Sequence, residues 1–262
     1  MDRFVSFDGT PIAYLERGSG PAVLLLHGFA ADHRINWVRP GVIDALVGAG
    51  RRVIATDARG HGASGKPHDP AAYANGAMVR DARALLDHLA LESVDLAGYS
   101  MGGMVSARVA AADRRVRSLV LAGVGGDLIP PRRGGAESPL AKALLADDPA
   151  TISNPTAKAF RVFAQATGAD RVALAAIERS DALRSAVDFD AITMPTLVVA
   201  GAGDVLIQPP QALAERLPRA RLRLVAGDHL SAVNDPVFAA AIVEFLEEHG
   251  GAVAGGDRRA SA

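Results

Sequence analysis

The chain has 262 residues, 49% of them hydrophobic, and carries 28 basic against 29 acidic side chains for a formal net charge of -1. That is enough apolar material for a full core, and the balanced charge gives no footing for nucleic acid or an anionic membrane as partner. No cysteine is present, which excludes disulfides, thiolate metal sites and cysteine nucleophiles.

Met1 to Thr10 lacks a basic stretch followed by an apolar run, so no secretory signal is expected and a cytoplasmic location is. Arg3 to Phe7 and Ile12 to Glu16, joined near Asp8-Gly9, predict a hairpin on a sheet edge. Short apolar runs then recur at Ala22 to Leu26, Arg52 to Thr56, Val94 to Ala97, Arg117 to Ala122, Thr196 to Ala200 and Arg221 to Val225. They lack polar alternation, the pattern of strands covered on both faces. Helical spacing separates them, as in Val79, Ala82, Leu85, Leu86 and Leu89, or Val237, Ala241, Ile242, Phe245 and Leu246. Strand–helix alternation predicts an α/β fold with a doubly wound, mostly parallel sheet.

The alternation fails from 125 to 190. A Pro/Arg/Gly-rich loop, Pro130 to Gly135, is followed by helical patterns without a strand. The expectation is a core formed by 1–124 and 191–249, a helical cap insertion over 125–190, and a disordered tail over 250–262. No internal repeat is present.

Gly98-Tyr99-Ser100-Met101-Gly102-Gly103 follows a buried-strand pattern and precedes a helical one through Met104, Val105 and Val109. A G-x-S-x-G in that setting is a nucleophile elbow. Gly98 and Gly102 are expected to be small because side chains there would strike neighbouring strands. Ser100 is expected to cap the helix, whose positive end then lies beside the reaction. His27-Gly28-Phe29 directly follows the run ending at Leu26. Acyl transfer needs two N–H donors aimed at a developing oxyanion. The backbones of Met101 and Phe29 are the candidates, with His27 tying down its loop.

With Asp57-x-Arg59-Gly60-His61-Gly62-x-Ser64, these residues resemble the α/β-hydrolase superfamily, specifically its small bacterial serine esterase-like members. The resemblance runs from His27 to His229. It implies the α/β-hydrolase fold and a Ser…Asp…His order. Asp204, in Gly201-Ala202-Gly203-Asp204, matches the family acid, and His229, in Ala226-Gly227-Asp228-His229, the base. His229 would take the Ser100 proton, and Asp204 would hold the imidazole tautomer. Asp127, after the run ending at Ala122, is the rival acid, a position that some relatives use. Asp228 is expected to shape its loop.

Gly60-x-Gly62-x-x-Gly65 fits a dinucleotide pattern, and Gly60 to Lys66 most of a phosphate loop, but Pro67 and Pro70 follow where a helix would have to begin. No cofactor is expected, and the histidines show no metal-ligand spacing. Trp37 reads as packing. Phe160 and Phe163 fit either an acyl pocket or a core stripe.

The resemblance implies two-step acyl transfer through an acyl-enzyme on Ser100, with a small-molecule ester as partner and a monomer or small homo-oligomer as assembly. A serine at the elbow argues against haloalkane dehalogenase and epoxide hydrolase, whose relatives use aspartate there. A lactonase, thioesterase, cofactor-free perhydrolase, carbon–carbon bond hydrolase or hydrolase-fold ligand receptor remains open.

Overall fold

A computed structural model describes residues 1–130 and 138–251. Most of the expected Pro130 to Gly135 loop and of the tail lies outside the described residues. Eight strands form one sheet: β1 (Asp2–Val5), β2 (Pro11–Arg17), β3 (Ala22–Leu26), β4 (Arg52–Thr56), β5 (Val94–Tyr99), β6 (Val116–Ala122), β7 (Thr196–Gly201) and β8 (Ala220–Val225). Their order is β1-β2-β4-β3-β5-β6-β7-β8. The hairpin is antiparallel and joins β4 antiparallel; from β4 to β8 every pair is parallel.

Each central strand is apolar throughout because it is buried on both faces. Leu24 belongs to the core on one side of the sheet and Leu25 to the core on the other, and neither has any exposure. On the first face lie α2 (Ala77–His88) and α3 (Met101–Ala112), through Leu85, Leu86 and Val105. On the second lie α1 (Val42–Gly48) and the last helix (Pro236–His249), through Ile43, Leu46 and Ile242. Trp37 is fully buried there with its ring stacked on Phe238, so its role is packing.

Two expectations change. β8 is an edge strand, and its Arg221 and Arg223 side chains are exposed, so it is not covered on both faces as the central strands are. The first strand stops at Val5, and Phe7 turns out to lie under the Arg80 guanidinium at 3.5 Å.

Between β6 and β7 the described residues hold α4 (Pro139–Leu145), α5 (Pro155–Thr167) and α6 (Arg171–Arg179), and no strand. Each begins at a side-chain cap: Ser138, Asn154 and Asp170 accept backbone N–H bonds from the first turn, and proline opens α4 and α5. Thr167 Oγ1 donates to the Ala30 carbonyl at 2.9 Å, and Arg108 donates to the carbonyls of Leu183 and Ser185. These bonds tie the helices to the loop after β3 and to α3. α7 (Pro210–Arg216) and α8, the helix just described at Pro236–His249, complete the fold. Among the described residues no helix is long and apolar enough to cross a membrane.

Candidate active site

The chain passes from β3 outward to β4, then returns to lay β5 on the other side of β3. At such a switch point the loops leaving the carboxyl ends of adjacent strands diverge and leave a crevice. The loops after β3 and β5 carry Phe29 and Ser100.

Ser100 sits between β5 and α3 at φ 52°. A β-carbon residue in that region stores strain of order 1–3 kcal/mol. The turn is possible because its neighbours have no side chains. A Cβ on Gly102 would strike the Leu26 carbonyl at the end of β3. A Cβ on Gly98 would strike the Gly102 carbonyl, so the constraint there comes from the elbow's own helix and not from a neighbouring strand. The expected cap also differs. Ser100 occupies the N-cap position without a side-chain cap bond, because its strained backbone turns the hydroxyl toward His229.

The Ser100 Oγ to His229 Nε2 distance is 2.9 Å, and His229 Nδ1 lies 2.7 Å from Asp204 Oδ2. The Asp204 side chain has no exposure, and its Oδ1 accepts the Leu206 N–H at 3.0 Å. A carboxylate on Nδ1 keeps that nitrogen protonated and leaves Nε2 free to take the hydroxyl proton. Asp127 does not reach the imidazole; its Oδ1 accepts the Gln208 N–H at 3.1 Å. Asp228 accepts N–H bonds from Leu230 and Ser231, shaping its loop.

The oxyanion candidates differ from their neighbours in what they bond. Gly28 N–H donates to Asn36 Oδ1 at 2.7 Å, and Ala30 N–H to His61 Nε2 at 3.2 Å. Between them, Phe29 N–H has no partner among the described residues, and neither has Met101 N–H at the start of α3. Two free amides beside a serine hydroxyl can hold a negatively charged oxygen.

The histidines under this loop are neutral. His27 Nε2 accepts the Ala58 N–H at 2.9 Å, so its proton is on Nδ1, which donates to the Gly28 carbonyl at 2.8 Å. By the same reasoning His61 accepts from Ala30 at Nε2 and donates to the Arg59 carbonyl from Nδ1. Burial, with His27 beside it, pushes His61 down to about 3, and burial pushes His27 down as well. The glycine loop after β4 is thus a bracket for the loop of Phe29. Burial works to raise the Asp57 carboxyl, but hydrogen bonds from His33 and the Ala63 amide overcome it and hold it below the usual carboxylate range. A Cβ on Gly62 would strike that carboxylate.

Asn36 and Tyr99 escaped the sequence reading. Tyr99 donates its hydroxyl to the His229 carbonyl at 2.7 Å, and burial pushes its phenol well above the ordinary range. The only trace in sequence was its place beside Ser100. Phe160, 6.0 Å from the Phe29 ring, lines both cavities at Ser100, whereas Phe163 lines the second alone and also packs on the core. The first cavity, about 400 Å³, is bounded by Ser100, Met101 and His229 on the core side and by α4, α5 and α6 above. The second, about 180 Å³, meets it at Ser100 and His229.

A hydrolase from Pseudomonas aeruginosa PA01 is 28% identical, with a TM-score of 0.75 over 94% of this chain and 98% of that one. A thermophilic esterase from Thermogutta terrifontis is 26% identical, with a TM-score of 0.74 over the same shares. A curated epoxide hydrolase of Caballeronia sordidicola is 38% identical over 98 residues, 37% of this chain and 29% of that protein. The chain spans about a third of the length of curated relatives of this kind. The family model described as alpha/beta hydrolase fold matches residues 21–162. That stretch carries β3 to β6 with Ser100 and the loop of Phe29, more than half the chain, and on it the protein belongs to the alpha/beta hydrolase fold family.

Proposed function

We propose that this protein is a serine hydrolase that cleaves carboxylic esters of small molecules through an acyl-enzyme on Ser100. The observation that carries the reading is the unbroken line of hydrogen bonds from Ser100 Oγ through His229 to Asp204, at 2.9 and 2.7 Å, beneath a cavity of about 400 Å³.

Ser100 Oγ attacks the ester carbonyl carbon while its proton passes to His229 Nε2. The carbonyl oxygen becomes an oxyanion and accepts from Phe29 N–H and Met101 N–H. Collapse expels the alcohol, which takes the proton from His229 and leaves the acyl group on Ser100. Water then attacks the acyl carbon, giving its proton to His229. The second collapse releases the acid and returns the proton to Ser100. Epoxide opening in relatives begins at an aspartate on the elbow; the serine here favours acyl transfer.

The test is a series of p-nitrophenyl esters of rising chain length, run beside labelling with a fluorophosphonate. Turnover of an ester with stoichiometric labelling at Ser100 is expected. Labelling that persists in Ser100→Ala, or an ester rate equal in that variant, would overturn the reading.

A further inference from the structure

The buried carboxylates Asp81, Asp95 and Asp113 of this chain are met by Arg59, Arg117 and Arg115, and Asp57 and Asp204 by His33 and His229. Two carboxylates at the cavity above Ser100 have neither kind of partner among the described residues. Glu178 of α6 and Asp127 both line it, and no Lys or Arg is among its described lining residues. Glu178 Oε2 accepts from Ser138 Oγ at 3.3 Å, and Asp127 Oδ1 accepts the Gln208 N–H. Neither carboxylate has a cationic partner among the described residues, although Glu178 is half-buried in a wall that also holds Leu140, Phe160 and Leu183. The Arg184 guanidinium lies on the Glu178 backbone carbonyl at 3.3 Å rather than on its carboxylate, which leaves the carboxylate open to a cation in the cavity.

Hydrogen-bond capacity points the same way. Ser138 uses its hydroxyl proton on Glu178 and accepts from the Ala141 N–H, and the Asn154 oxygen is committed to the Ala157 N–H. What remains toward the cavity at α6 is a charged acceptor. Met101, which carries one of the oxyanion amides, lines this cavity and not the smaller one. Phe29 and Ser100 line both cavities; the larger one, which alone of the two reaches Met101, is the one that extends to Glu178.

We propose that the α6 side of the cavity is a subsite for an ammonium group, so that the esters taken in preference carry a primary amine at the far end of the acyl chain. The kinetic part of this inference rests on the serine hydrolase reading; the binding part does not.

Three p-nitrophenyl esters of nearly equal length test it: heptanoate, 6-aminohexanoate and hemiadipate, neutral, cationic and anionic at the far end. The kcat/KM ratio of aminohexanoate to hemiadipate is expected to be at least about 30, given the Coulomb energy of a partly screened pair. In Glu178→Gln, which keeps the Ser138 bond, that ratio should fall at least about tenfold, and Glu178→Lys should invert it. Variant folding is checked by thermal melting. A ratio near one, or a ratio unchanged in Glu178→Gln, overturns the subsite. In parallel, hexylammonium and hexanoate are titrated into unreacted protein by calorimetry. Binding of hexylammonium but not hexanoate, lost in Glu178→Gln, supports the subsite even where no ester is turned over, an outcome that would sink only the catalytic reading. Equal binding of the two, or binding of neither, overturns it.

Discussion

Asp204→Asn separates the orienting role of this carboxylate from its bulk. Asp204 makes two bonds: Oδ1 accepts the Leu206 N–H at 3.0 Å, and Oδ2 lies 2.7 Å from His229 Nδ1. An asparagine keeps its carbonyl oxygen toward Leu206, because an amide NH2 there would face another donor. Its NH2 must then point at His229 Nδ1, which becomes an acceptor, and the ring proton moves to Nε2. That nitrogen faces Ser100 Oγ at 2.9 Å and can no longer take the hydroxyl proton. The tautomer error costs about 10⁴ in kcat, or about 5.5 kcal/mol of barrier. Asp127→Asn meets no such conflict, since its amide oxygen can still accept the Gln208 N–H, and its loss should be at least about a hundredfold smaller. The assay is kcat on p-nitrophenyl butyrate, with circular dichroism to show that both variants fold. A milder loss in Asp204→Asn than in Asp127→Asn would refute the reasoning and move the acid.

Ser100→Ala should lose fluorophosphonate labelling and at least about 10⁴-fold of any esterase activity, read by intact mass and ester turnover. Asn36→Ala frees the Gly28 N–H that steadies the loop of Phe29; kcat should fall by about 10- to 100-fold with KM changed far less, since the oxyanion exists only past the ground state, and a loss in KM alone would count against that role. Gly102→Ala drives a Cβ into the Leu26 carbonyl and should cost at least about 3 kcal/mol in urea unfolding; an unchanged midpoint would refute the elbow packing. His61 is lowered from the usual 6.5 to about 3, so below pH 6.5 the unfolded chain binds a proton that the folded one refuses. Its contribution is complete above 6.5 and drains away toward about 3, making the protein about 2 kcal/mol less stable at pH 5 than at pH 7. His61→Gln should flatten that part of the curve, and an equal slope in the variant would remove the argument.

The sheet was legible because strands buried on both faces must be apolar at every position, as Ala22 to Leu26 are. β8 was open to the same reading: Arg221-Leu222-Arg223-Leu224 alternates polar and apolar, the mark of a strand with one solvated face, and it differs in this from the uniformly apolar Ala22 to Leu26. Ser100, His229 and Asp204 could be named because each stands just past a strand end in a short motif. Asn36, His61 and Tyr99 could not be given roles. Their partners are distant in sequence or lie on backbone atoms: Asn36 serves an amide eight residues earlier, His61 one 31 residues earlier, Tyr99 a carbonyl 130 residues later. No residue spacing encodes such bonds. The helices of 138–179 show amphipathic periodicity alone, which tells that a face is buried and not which side chain, such as Glu178, borders the cavity.

The histidines divide according to what surrounds them. His27 and His61 are enclosed, each accepts a backbone N–H, and protonation would put two N–H groups face to face. Burial therefore disfavours protonation of both rings under Phe29, pushing His61 down to about 3 and His27 below its usual value. His229 has a different set of neighbours: a carboxylate on one nitrogen and a hydroxyl on the other, both compatible with a protonated ring. A general base has to cycle between its two forms without disturbing the amides that hold the oxyanion. Fixing the loop with imidazoles that burial holds neutral, apart from the one at the serine, meets that requirement.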